Sequence, residues 1–97
     1  MTDLFSVQGK VAVVTGGGSG IGKALAMAFA NQGMHVVISD IDRAAAEAAA
    51  GEVQAIGVKA LAVETDVVNP DSITELADAV YAEFGNAHII CNNAGVV

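Results

Sequence analysis

Four short apolar runs rich in β-branched residues alternate along this 97-residue chain with three longer segments of helical period, and no other feature restricts the fold so strongly. The runs are Lys10–Thr15, His35–Asp40, Lys59–Glu64 and Ala87–Cys91. Near-continuous apolar strands separated by single helices require a sheet covered on both faces, and parallel strands joined by right-handed crossovers meet that requirement. The expected fold class is α/β: an incomplete, doubly wound parallel sheet of about four strands in the order 3-2-1-4, with three helices. Residues 1–97 read as the first part of a single domain.

Each helical segment carries start and stop signals. The first spans about Gly20–Gln32, with Ile21, Leu25, Ala28 and Phe29 on one face, and Gly33 stops it. Asp42 is placed to cap the second, about Arg43–Ile56, which ends at Gly57. Its alanines have high helix propensity, and Ala44, Ala48, Val53 and Ile56 make the expected narrow face toward a sheet. Asn69-Pro70 opens the third, with proline at the first helical position, where its missing N–H costs nothing. Ile73, Leu76, Ala77, Val80 and Phe84 form its face, and Gly85 ends it.

Composition closes off several function classes. At 54% hydrophobic and 15% charged, the chain has enough apolar surface to offset chain entropy, so disorder is excluded. No apolar run reaches the roughly 20 residues that cross a bilayer, and Met1–Ser6 lacks the basic stretch of a secretory signal, so no membrane partner is expected and the cytoplasm is the default location. Cys91, the only cysteine, fits a reducing compartment. A net charge of −7, from four basic residues against eleven acidic ones, argues against nucleic acid. It leaves a nucleotide possible, because phosphates can be held by backbone N–H groups at a helix start.

The segment between the first strand and the first helix points to such a ligand. It reads Thr15-Gly16-Gly17-Gly18-Ser19-Gly20-Ile21-Gly22. A glycine-rich turn here lets the backbone approach a pyrophosphate, whose charge meets the unpaired N–H groups and positive dipole end of the helix. Gly16, Gly20 and Gly22 take these roles, and Gly18, Ser19 and Ile21 complete the candidate phosphate site. A tight turn needing positive φ would also use glycines, but the strand before and the helix after stand where a Rossmann-type dinucleotide site requires them. Asp40 ends the second strand 18 residues past Gly22, where a carboxylate can accept both adenosine ribose hydroxyls and repel a 2′-phosphate. With no basic residue at Ser19 or Ile41 to pair with that phosphate, NAD is favoured over NADP; Arg43 keeps NADP open.

With this loop, Asp66-Val67 after the third strand and Asn92-Asn93-Ala94-Gly95 after the fourth, the chain resembles the short-chain dehydrogenase/reductase family over its whole length. The closing Gly20-Ile21-Gly22, with its single residue between glycines, is that family's variant of the loop. The resemblance implies that Asp66 bonds the adenine amino group and Val67 flanks the ring. It also implies that Asn92, Ala94 and Gly95 steady the central sheet and border the adenine ribose and nicotinamide side. Taken without it, Asp66 reads as a strand end and Asn92-Asn93 as a turn.

The resemblance further implies a catalytic serine and a Tyr-x-x-x-Lys pair, and neither occurs here. The only tyrosine is Tyr81, with Gly85 four places on. No catalytic residue is therefore assigned. Two readings of function follow. In one, the chain is the cofactor-binding part of an oxidoreductase moving hydride between NAD and an alcohol/ketone pair, meeting its small-molecule substrate only in the intact protein. In the other, it is a truncated, non-catalytic dinucleotide-binding module. Family members are usually homo-oligomers, through helices that these residues do not include. His35 and His88, at strand starts, and Cys91, inside an apolar strand, read as structural, and no metal-ligand cluster is present.

Overall fold

The computed structural model describes residues 7–93. Every apolar run forms a strand and every helical segment a helix: β1 Val11–Thr15, α1 Gly20–Asn31, β2 His35–Asp40, α2 Arg43–Ile56, β3 Ala60–Glu64, α3 Pro70–Phe84 and β4 Ile89–Asn92. All pairings are parallel and the sheet order is β3-β2-β1-β4, as expected. The cores of β1 and β2 are buried because both are interior strands covered on both faces.

The helix ends obey the local chemistry. Asp42 accepts a hydrogen bond from the Ala45 N–H, and Asn69 accepts one from the Asp71 N–H. Gly57 and Gly85 close α2 and α3 in the left-handed conformation. The amino edge of the sheet is capped by its histidines: His88 Nδ1 accepts from the Val11 N–H and His35 Nδ1 from the Lys59 N–H, both at 3.0 Å. These are the structural roles expected of them.

Two hydrophobic cores lie on opposite faces of the sheet. One joins Val14, Val36 and Ile38 to Ala26 and Ala30 of α1 and to Ala46, Ala49, Ala50 and Val53 of α2, with Cys91 packed at its margin. The other joins Val11, Val13 and Val37 to Leu76 and Val80 of α3. The helix faces differ from expectation in their phase. In α1 the buried residues are Gly22, Ala26 and Ala30, whereas Ile21 and Ala28 are exposed and Leu25 and Phe29 half-buried. In α2, Ala44 and Ala48 are exposed and Ala46, Ala49 and Ala50 take their place. Small residues let the two helices lie close to the sheet, which moves the large ones to the margins. In α3, Leu76 and Val80 are buried as expected, while Ile73 and Ala77 remain exposed.

Candidate functional site

The loop after β1 is shaped by close backbone contact. Gly16 and Gly20 have φ of +66° and +59°, a region glycine enters without strain. Gly22 is required for a different reason: a Cβ there would collide with the Gly16 carbonyl oxygen and lie 2.7 Å from Asn93 Nδ2. The first turn of α1 is thus pressed directly against the start of the loop. Ser19 is the N-cap residue, but its side chain makes no capping bond, and no acidic residue lies in the first turn. The helix start is therefore left without a side-chain acceptor, as an anion site needs. A Cβ on Gly20 would meet nothing within 4 Å, so the backbone there borders open space.

The loop rests on the carboxyl ends of its neighbouring strands. The Thr15 hydroxyl lies 3.0 Å from Asn92 Oδ1 and 3.3 Å from the Cys91 carbonyl, and accepts from the Asn93 N–H at 3.0 Å. Asn93 Nδ2 in turn reaches the Gly16 carbonyl at 3.5 Å. Asn92 thus ties β4 to β1 through the Thr15 hydroxyl. Asn93, absent from the candidate residues, is the one that reaches the glycine-rich loop. Two adjacent asparagines gave no sequence signal to separate these roles. Ala94 and Gly95 lie outside the described residues.

On the other side, Asp40 stands at the end of β2 with Gly18 donating to one carboxylate oxygen at 2.9 Å and Asp42 N–H to the other at 3.0 Å. The Gly18 N–H is thus engaged within the protein. Arg43, exposed at the start of α2, bonds Glu47, and that hydrogen bond, with the charges of Glu47 and Glu64, holds its guanidinium pKa above the ordinary value. Beyond β3, Asp66 is half-buried and accepts from the Val68 N–H at 3.1 Å, while its own N–H donates to the Ser72 hydroxyl at 2.8 Å. Its carboxylate shapes the turn into α3, so the strand-end reading of Asp66 has a geometric basis. Val67 beside it is half-buried.

Exposed apolar residues mark two places. Ile21, Ile41 and Val68, exposed by 74%, 70% and 71%, follow the ends of β1, β2 and β3, the edge where ligands bind in open α/β sheets. Ile73, Tyr81 and Ile90 instead line a groove of about 360 Å³ between α3 and β4. That groove includes Thr15, Val67 and Asn92 but neither Asp40 nor any residue of Gly16–Gly22. Among the described residues no group of acids, histidines and cysteine could hold a metal, and no helix is long and apolar enough to cross a membrane.

Comparison with known proteins agrees with this arrangement. The family model for short chain dehydrogenases matches residues 10–97. Versicolorin reductase stcU of Emericella nidulans is 40% identical over 99% of this chain and 37% of its own length. Among solved structures, a short chain dehydrogenase/reductase from Burkholderia phymatum in complex with NAD superposes with a TM-score of 0.85 at 40% identity, over 90% of this chain and 31% of that one. L-sorbose reductase from Gluconobacter frateurii, complexed with NADPH and L-sorbose, gives 0.90 at 39% identity, over 94% and 35%. The chain spans about a third of the length of these relatives. Fold, loop and family model converge: this chain belongs to the short-chain dehydrogenase/reductase family.

Proposed function

We propose that this chain holds the adenosine diphosphate half of a nicotinamide dinucleotide, NAD in preference to NADP, as the cofactor-binding part of a single-domain oxidoreductase. The loop Gly16, Gly18, Ser19, Gly20, Ile21 and Gly22 would take the diphosphate, Asp40 and Ile41 the adenosine ribose, and Asp66 and Val67 the adenine. Asn92, with Ala94 and Gly95, would border the nicotinamide side. When bound, the nicotinamide would donate hydride to the ketone or accept it from the alcohol of a small-molecule pair in the intact protein. The family's usual homo-oligomerisation and a cytoplasmic location belong to the same proposal.

One observation carries the cofactor preference: the Asp40 carboxylate is fixed by two N–H donors beside the uncapped start of α1. A charge held in place there repels a 2′-phosphate, and Arg43, three residues further along the chain, pairs with Glu47. The test is a calorimetric titration with NAD and with NADP. NAD should bind at least about tenfold more tightly, a difference of about 1.4 kcal/mol, and Asp40→Ala should narrow that ratio. Equal or tighter binding of NADP by the unaltered chain would remove the Asp40 reading.

A further inference from the structure

Two adjacent N–H groups in the middle of the phosphate loop are directed at the end of β2. Gly17 N–H donates to the Ser39 carbonyl at 3.1 Å, and Gly18 N–H donates to Asp40 Oδ2 at 2.9 Å. The other carboxylate oxygen of Asp40 accepts from the Asp42 N–H, and Asp42 is the N-cap of α2. One side chain thus joins the loop, the end of β2 and the start of α2. The junction has no slack: a Cβ on Gly18 would lie 2.7 Å from Asp40 Oδ2, 2.8 Å from Ala45 Cβ and 3.0 Å from the Ala45 carbonyl carbon.

We propose that Asp40 is a positioning residue for the phosphate loop, acting on the diphosphate through Gly18 independently of any bond it accepts from a ribose. The proposal rests on the reading of this loop as a diphosphate holder. The chemistry that suits Asp40 to the task is the symmetry of a carboxylate, which accepts at both oxygens. An amide of the same shape offers one acceptor and one donor, and cannot serve the Gly18 and Asp42 N–H groups together. Bonds to an ionised acceptor are also the stronger kind. A loop held in one conformation before the ligand arrives does not have to be ordered by it, so fixing Gly18 raises affinity for the diphosphate itself. Gly18 has no side chain because the carboxylate and Ala45 occupy the space one would need.

Asp40→Asn tests this with two ligands, ADP and 2′,3′-dideoxy-ADP, which carries the same diphosphate and neither ribose hydroxyl. Amide hydrogen exchange, resolved at Gly18 and Asp42, is measured on the ligand-free 97-residue chain at micromolar concentration. Gly18 should be protected in the unaltered chain, and the substitution should speed exchange at Gly18 or Asp42 by about tenfold, as loss of a bond to a charged acceptor does. Affinity for dideoxy-ADP should fall together with that for ADP, by about threefold or more. Equal binding of dideoxy-ADP by both proteins would overturn the proposal and leave Asp40 acting on ribose alone. A Gly18 amide exchanging at the rate of an unstructured peptide in the unaltered chain overturns it without recourse to any variant. If the unaltered chain binds neither nucleotide while the substitution still frees Gly18, the diphosphate reading falls and the Asp40–Gly18 tie stands.

Discussion

Individual residues around the loop have jobs that their types only partly disclose. Asp40 was legible as the acid at the end of a strand, but its two backbone partners come from segments on either side of it and exist only in the folded chain. Gly22 looked like part of a ligand motif, and its immediate constraint proves to be the Gly16 carbonyl. Ser39 is the unusual case: its hydroxyl is fully buried and, among the described residues, is the buried side-chain group with no hydrogen-bond partner. An unsatisfied buried hydroxyl costs stability that an apolar atom of similar size does not. Ser39→Ala should therefore raise the free energy of unfolding in urea by about 1 kcal/mol. A loss of stability of that size would show that the hydroxyl has a partner in solution.

At the scale of elements, the periodic signal located each strand and helix but misjudged which side of two helices faces the sheet. In α1 the large residues Ile21, Leu25 and Phe29 suggested the core face, yet the line of closest approach is Gly22, Ala26 and Ala30. In α2 the problem is degeneracy, since alanine occupies positions 44, 45, 46, 48, 49 and 50 and hydrophobicity alone cannot choose among them. Packing distance does choose, and it gives a sharp contrast between neighbours. Ala49 is 1% exposed, while Ala48 lies on the outer face. Ala49→Leu should cost about 1–3 kcal/mol by overpacking, and Ala48→Leu should stay within about 0.5 kcal/mol of the unaltered chain, both read from thermal or urea unfolding. Equal effects would mean that the helix is rotated from the orientation described.

For the molecule as a whole, the second group of exposed apolar residues matters most. Ile73, Tyr81 and Ile90 border the groove between α3 and β4, and among the described residues β4 has a hydrogen-bonded neighbour on one side only. An apolar groove beside an open strand edge is a template for association. The 97-residue chain should therefore elute from size exclusion at an apparent mass that rises with concentration, and Ile90→Lys should shift it toward the 9.7 kDa monomer. A chain that stays monomeric at every loading would contradict this.

Alternating hydrophobic periods, caps and glycine stops were sufficient to specify the order of elements, the parallel sheet and its 3-2-1-4 topology, because these follow from local propensity and from the need to cover both sheet faces. The setting of Gly16–Gly22 between a strand and a helix, and of Asp40 at the end of β2, was legible for the same reason, since local pattern locates the elements that carry them. The assignment of Asn93 to the loop, the tie between Gly18 and Asp40, the buried Ser39 hydroxyl and the small-residue faces of α1 and α2 were not. Each depends on atoms far apart in sequence meeting within a few ångströms, and only close packing of strands and helices decides which atoms meet.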